Sequence, residues 1–247
     1  MKITANGIQI HYEWSGKKGA PVVMLSHSLG SSLVMWNPQM NILEPHFRVL
    51  RYDIRGHGGS DAPSGPYTLE LLGKDATGLL DALGIEKVHW IGLSMGGMIG
   101  QFVALNHAQR LSSLALCDTA ATIAEEAQPV WQERIDRARH RGMEAQVEET
   151  MQRWFTPSFL GRNPPMLKVI QKEFLVTPVE GYIGCAEAIR KLNYLDRLSK
   201  ISIPTLIMVG EDDPGTPVAA SEAIHKRISG SRLVILPSAR HLSNVEQ

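Results

Sequence analysis

Apolar positions along this chain recur with two different periods, and the changes of period mark its elements. Lys2 to Ala5 and Ile8 to Trp14 are short alternating runs separated by Asn6-Gly7. Asn-Gly supplies the left-handed backbone that a two-residue turn needs, so the pattern predicts a β-hairpin. Pro21-Val22-Val23-Met24-Leu25 is continuously apolar, as a parallel strand buried on both faces must be. A helix-like segment follows around Trp36 to Leu43, then a strand at Phe47 to Tyr52. Thr68 is a fitting N-cap for a helix from Leu69 to about Leu83, with Leu69, Leu72, Ala76, Leu79, Leu80 and Leu83 on one face and Gly84 as its stop. Val88 to Ile91 reads as a strand, Met95 to His107 as a helix and Leu111 to Cys117 as a strand.

This alternation predicts an α/β fold, an open, mostly parallel sheet with helices on both faces. It breaks after Asp118. From Ala121 to about Ser199 only helical periodicity remains, interrupted at Thr156-Pro157 and Asn163-Pro164-Pro165 and rich in large aromatics. The segment reads as a helical cap, residues 121–199, inserted into a core made of 1–120 and 200–247. The β-α-β pattern resumes at Ile203 to Val209, continues with a helix from about Ala219 to Ile228, and closes with a strand at Arg232 to Leu236.

Candidate chemistry enters between the fifth strand and the helix after it. Gly92-Leu93-Ser94-Met95-Gly96 places a serine between two glycines at a strand-to-helix corner, the pattern of a nucleophile elbow. The competing reading is a plain corner. A serine hydroxyl is a weak nucleophile until a base takes its proton and a third group fixes that base's tautomer. In open parallel sheets such groups gather at the carboxyl ends of strands. His241, just past the last strand, is the expected base; His27 and His57 also follow strands, His107 and His225 lie in or near helix ends, and His11 and His89 lie within strands. Asp53, Asp118, Asp212 and Asp213 are the acids at strand ends. The chain order Ser…Asp…His favours Asp213, with Asp212 as the neighbouring alternative. Asp53 beside Arg55 reads instead as an ion pair or a loop anchor. The N–H groups of Met95, after the serine, and Leu29, in the loop after the third strand, are the expected oxyanion donors.

Bulk properties narrow the partners. The chain has 247 residues with 25 Lys plus Arg against 25 Asp plus Glu, which leaves no global field for nucleic acid or an anionic membrane. No stretch approaches the roughly 18 apolar residues of a membrane span, and Met1 to Gly7 lacks a signal-peptide core. Cys117 and Cys185 have no metal-ligand spacing and read as free thiols of a cytoplasmic protein. There is no metal motif and no dinucleotide fingerprint, so no metal or cofactor is expected.

With His27-Ser28-Leu29-Gly30, Asp53-Ile54-Arg55-Gly56-His57-Gly58-Gly59-Ser60, Gly92 to Gly97, Gly210-Glu211-Asp212-Asp213 and His241 assembled, the chain resembles an α/β-hydrolase along its whole length. Within that fold it is similar to 3-oxoadipate enol-lactonases, through Gly92 to Gln101, Asp118 to Ala121, Arg153 to Pro157, Glu180 to Tyr182 and Ser243 to Gln247. The resemblance implies an eight-stranded sheet and a small-molecule lactone or ester as substrate. Ser94 would then be the nucleophile, His241 the base and Asp213 the acid. Acyl-homoserine lactone lactonases and general carboxylesterases share much of this design. A cofactor-free perhydrolase and a ligand receptor on the same fold are the remaining alternatives. Trp131, Arg134, Trp154 and Tyr182 are the expected substrate-binding residues of the cap. Arg134 suits a substrate carboxylate, against the competing reading of a solvated helix face. One departure stands out: such proteins usually continue past the equivalent of Gln247 into a final helix, and were that helix truly missing the packing beside His241 would be expected to suffer. The oligomeric state is left open.

Overall fold

A computed structural model describes residues 1–247. Eight strands form one sheet: β1 (Lys2–Ala5), β2 (Ile8–Gly16), β3 (Val22–Ser26), β4 (Arg48–Tyr52), β5 (Val88–Leu93), β6 (Leu111–Cys117), β7 (Thr205–Gly210) and β8 (Arg232–Leu236). Their order across the sheet is β1-β2-β4-β3-β5-β6-β7-β8. β1 and β2 pair antiparallel, β2 pairs antiparallel with β4, and every later pair is parallel. The first turn uses Asn6 at φ 46° and Gly7 at φ 80°, both left-handed, as its sequence requires.

The helices are α1 (Met40–Leu43), α2 (Leu69–Ala82), α3 (Met95–Asn106), α4 (Gln128–Arg141), α5 (Val147–Trp154), α6 (Pro157–Arg162), α7 (Pro165–Val176), α8 (Val179–Arg190), α9 (Val218–Arg227) and α10 (Ser243–Glu246). None is long and apolar enough to cross a membrane. Thr68 caps α2 by accepting the Leu71 N–H at 3.0 Å. The segment expected as one helix around Trp36 is instead a 3₁₀ stretch, Leu33–Gln39, running into α1. Pro38 has no N–H to donate and crowds the preceding turn, which breaks regular α-helix there.

Helices α4 to α8 lie between β6 and β7 and add no strand to the sheet. The proline interruptions foreseen in this insertion are helix starts: Pro157 opens α6 behind the Thr156 cap, and Pro165 opens α7. The insertion meets the core through closely apposed backbones. A Cβ on Gly181 of α8 would lie 2.0 Å from the Gly56 carbonyl oxygen in the loop after β4. Aromatic edges fill the space beside this contact, with Trp154 against Phe174 at 5.7 Å and Phe174 against Tyr182 at 6.2 Å between ring centroids.

α3 is apolar on nearly every side, and Met95 through Ala104 are all buried. Its start is pressed into the sheet. A Cβ on Gly96 would sit 2.1 Å from the Ser26 carbonyl oxygen, and one on Gly92 would sit 2.2 Å from the Gly96 carbonyl oxygen. Only glycine allows the two turns to touch. Gly96→Ala is therefore expected to destabilise the fold by about 1–3 kcal/mol in urea unfolding, through forced backbone shifts. An unchanged unfolding midpoint would contradict this close-approach argument.

Candidate active site

β5 carries the chain to Ser94, which sits at φ 55° and ψ −115° before α3 begins. This is the sharp corner expected of the glycine-flanked serine. Its N–H bonds the Cys117 carbonyl at 2.9 Å. Its own carbonyl accepts from the N–H groups of Gly97 and Met98 and from Thr119 Oγ1 at 2.7 Å. The side chain is thus aimed by backbone on both sides.

His241 arrives from the loop after β8, with its Nε2 2.9 Å from Ser94 Oγ. Its Nδ1 lies 2.7 Å from Asp213 Oδ2. An ionised carboxylate only accepts, so Nδ1 carries the proton and Nε2 is free to accept from the serine hydroxyl. Asp213 is itself fixed: Oδ1 accepts the Gly215 N–H at 2.7 Å and Oδ2 accepts from Thr216 Oγ1 at 2.6 Å. Asp212, the alternative acid, is exposed and lies outside this chain of bonds. Thr216 was not foreseen, because no motif distinguishes a loop threonine that braces a carboxylate.

Burial by itself would lower the His241 pKa, but the Asp213 charge and hydrogen bond, with help from Asp118, hold it above the ordinary 6.5. Burial likewise opposes ionisation of Asp213, and His241, Thr216 and Gly215 outweigh it, so its pKa is lowered. The two shifts have opposite signs, as an ion-paired acid and base require.

The other strand-end acids have different partners. Asp118, fully buried at φ 44°, accepts the Gly210 N–H at 2.8 Å and the Ser243 hydroxyl at 2.5 Å. Burial pushes its pKa up to about 7. It joins the end of β7, three residues before Asp213, to the loop two residues after His241. Asp53 is a loop anchor that accepts from the N–H groups of Leu33 and Gly59 and pairs with His11 at 2.7 Å. The ion pair suggested between Asp53 and Arg55 is absent: Arg55 turns to Asp75, at 2.6 Å, because that carboxylate meets the guanidinium through two nitrogens. His89 bonds the Ser113 hydroxyl and His225 the Ser231 hydroxyl, while His27, in the loop after β3, and His57, in the loop after β4, are fully buried.

Nor is the packing beside His241 loose. Leu242 is fully buried and its N–H bonds the Trp154 carbonyl at 3.1 Å. The Glu246 carboxylate accepts the N–H groups of Arg240 and Thr156, both at 2.9 Å. These bonds close the loop against the insertion.

The N–H of Leu29 has no protein acceptor, and Met95 is the first residue of α3, where a helix leaves its amide without an intrahelical partner. Ser94, Leu29 and His241 line one cavity of about 390 Å³, within the small end of the usual range of roughly 300–1,000 Å³ for small-molecule sites. Trp131, Arg134, Trp154 and Tyr182 all line it too, together with Arg153, Thr150 and Met98. Arg153 is the lining cation that sequence reasoning passed over. Its signal was the neighbouring Trp154, since adjacent residues late in a short helix can border one cavity from two sides.

The two guanidiniums differ in their partners. Arg153 bonds Glu149 at 2.8 Å and the Thr150 hydroxyl at 2.9 Å. Burial, then the like charge of Arg134, lower its pKa. Arg134 lies 5.0 Å over the Trp131 ring, forms no ion pair, and has a buried Nε without an acceptor. An arginine that stacks on an aromatic and keeps its fork free is arranged for a planar anion.

With His241 as the base for Ser94, its raised pKa is expected to place the acid limb of kcat/KM above pH 6.5, because that base must be neutral to accept the serine proton. Asp213→Asn removes the stabilising charge, so the limb is expected to move toward lower pH while kcat falls on the order of 10⁴-fold. Stopped-flow hydrolysis of a chromogenic ester across pH 5–9 measures both; a limb that stays in place would contradict the assignment of charge.

The sequence also matches known proteins along its length. Residues 21–247 match the α/β hydrolase fold family. The chain is 37% identical to a 3-oxoadipate enol-lactonase of Acinetobacter baylyi, covering 99% of this chain and 91% of that one. The enol-lactonase from Burkholderia xenovorans superposes with a TM-score of 0.96 at 41% identity, covering 99% of this chain and 94% of that one. A thermophilic esterase from Thermogutta terrifontis, solved with malate bound, gives a TM-score of 0.92 at 33% identity over 100% of this chain and 93% of that one. The chain belongs to the α/β-hydrolase family and is a lactone or carboxylic-ester hydrolase.

Proposed function

We propose that this enzyme opens a small lactone that carries a free carboxylate, as 3-oxoadipate enol-lactone does. The observation that carries the reading is the unpaired Arg134 fork, in the same cavity as Ser94. Arg153 adds a second positive charge, only partly offset by Glu149. A neutral acyl chain, as in an acyl-homoserine lactone, would leave the Arg134 guanidinium without an anionic partner and Arg153 with Glu149 alone, which is unfavourable. The similarity to enol-lactonases supports the same choice.

In this mechanism the substrate carboxylate lies on Arg134 and Arg153, and the lactone carbonyl faces Ser94. His241 Nε2 takes the hydroxyl proton as Oγ attacks the carbonyl carbon. The charge that develops on the carbonyl oxygen is met by the N–H groups of Leu29 and Met95. Asp213 holds the imidazolium that forms. Collapse of the tetrahedral intermediate breaks the ring C–O bond, and His241 returns its proton to the ring oxygen, which leaves as an enol or alcohol. That group stays tethered to the acyl-enzyme, so reclosure competes with hydrolysis. Water then attacks the acyl carbon, again giving a proton to His241, and Ser94 leaves with a proton. The product carries two carboxylates. Release is favoured by repulsion between the new carboxylate and Asp213. Two buried, unbridged thiols fit a reducing cytoplasm as the place of work.

Ser94→Ala is expected to lower kcat on the order of 10⁶-fold with an unaltered unfolding transition. Near-wild-type turnover would remove Ser94 from the mechanism. Arg134→Gln and Arg153→Gln are each expected to reduce kcat/KM for 3-oxoadipate enol-lactone about 10- to 100-fold, the value of a charged hydrogen bond. The ratio of that constant to the one for a neutral p-nitrophenyl ester should fall at least tenfold. A ratio that does not move would assign the specificity to other residues.

A further inference from the structure

The loops after β3 and β4 each contain one histidine with no exposed surface, His27 and His57. His27 accepts the Ile54 N–H at Nε2 (2.9 Å) and faces the Ser28 carbonyl with Nδ1 (2.8 Å). His57 accepts the Gly30 N–H at Nε2 (2.9 Å) and faces the Arg55 carbonyl with Nδ1 (3.3 Å). Each ring therefore points Nδ1 at a carbonyl of its own loop and takes an amide from the other loop. The ring centroids are 5.4 Å apart.

These partners dictate one tautomer. A backbone N–H only donates, so both Nε2 atoms must be bare. A carbonyl only accepts, so both Nδ1 atoms must carry hydrogen. A second proton on either ring would set N–H against N–H. Burial lowers both pKa values, His57 to about 3, although the Asp53 charge pulls the other way. The rings are thus neutral throughout the working range.

What they hold is the peptide group on each side of Leu29. The peptide unit is planar and trans, so its C=O and N–H point in opposite directions. Anchoring the Ser28 carbonyl on His27 therefore turns the Leu29 N–H away from that ring. Anchoring the Gly30 N–H on His57 fixes the following plane. Gly30 itself is at φ 70° with Phe174 of α7 packed where its Cβ would be, which leaves the loop little room to rotate.

We propose that His27 and His57 are positioning residues, a reciprocal pair of neutral imidazoles that aims the Leu29 N–H at the developing oxyanion. This rests on the reading of Ser94 as the nucleophile and of Leu29 as an oxyanion donor. The pair accounts for two loops that each carry a fully buried histidine outside the cavity lining.

The test uses His57→Ala and His57→Gln. A glutamine amide can accept from Gly30 through its oxygen and donate to Arg55 through its nitrogen. His57→Ala is expected to lose about 10- to 100-fold in kcat/KM per folded molecule, less than the roughly 10²–10³ for deleting an oxyanion donor outright. The inhibition constant of an aliphatic trifluoromethyl ketone, whose hemiketal oxyanion occupies the same hole, should rise by the same factor. His57→Gln should recover most of both. Unchanged kcat/KM in folded His57→Ala, or a loss with no change in ketone affinity, would overturn the proposal. If neither variant folds, ¹⁵N spectra of the wild-type imidazoles decide: two neutral rings protonated at Nδ1 from pH 5 to 8 support the staple, and rings protonated at Nε2 refute it. These outcomes are separable from the parent reading, because a fully active Ser94→Ala would defeat the nucleophile assignment without altering the histidine spectra.

Discussion

Ser94 occupies a backbone region that an L-residue visits only under constraint, at a cost of about 1–3 kcal/mol. Much of the surrounding core serves to hold it there. The Ser94 carbonyl takes donors from the first turn of α3 and from Thr119, while its N–H is tied to the end of β6. The Trp90 indole donates to the Gly96 carbonyl at 3.1 Å, fixing the helix start from below. Gly92 and Gly96 remove the two side chains that would push strand and helix apart. The corner leaves a hydroxyl at the carboxyl end of the sheet with its direction set by backbone, and His241, backed by Asp213, meets it there.

Convergence depends on carboxylates that are buried yet satisfied. Asp213 has four hydrogen-bond donors around it, so its charge is stable in a site that burial would otherwise neutralise. Asp118 sits beneath, joining β7 to the loop that bears His241. Asp213 and His241 thus follow two strands whose ends are bridged by a second carboxylate. The spacing between Asp213 and His241 is kept by more than their mutual attraction.

Similar bonds tie the His241 loop to the cavity wall. Glu246, near the chain's end, accepts from Arg240 in the His241 loop and from Thr156 at the junction of α5 and α6. Leu242 donates to Trp154, the residue beside Arg153. The loop that carries His241 is therefore fastened to the helix that lines the cavity. Hydrogen bonds from Glu246 and Leu242 thus join the insertion to the loop after β8 at this edge.

Much of this was written locally in the chain. Period-two and period-3.6 patterns located the strands and most helices, because burial of one face is a local requirement repeated along an element. Asn6-Gly7, Thr68 and the Gly92-x-Ser94-x-Gly96 corner were legible since each satisfies a backbone need within a few residues. The rule that parallel strands end at one edge points to His241 and Asp213, and the structure brings both to Ser94. The segment after Ser32 escaped, as a 3₁₀ stretch and an α-helix share nearly the same apolar spacing and Pro38 decides between them only in context. Pairings between distant groups were decided by tertiary structure alone: Arg55 with Asp75 rather than Asp53, Asp118 with Ser243, Arg153 beside Arg134. A side chain's partner depends on which strands and helices lie next to each other in space. Local sequence sets what each residue can donate, accept or bury, and the fold determines which of those capacities meet.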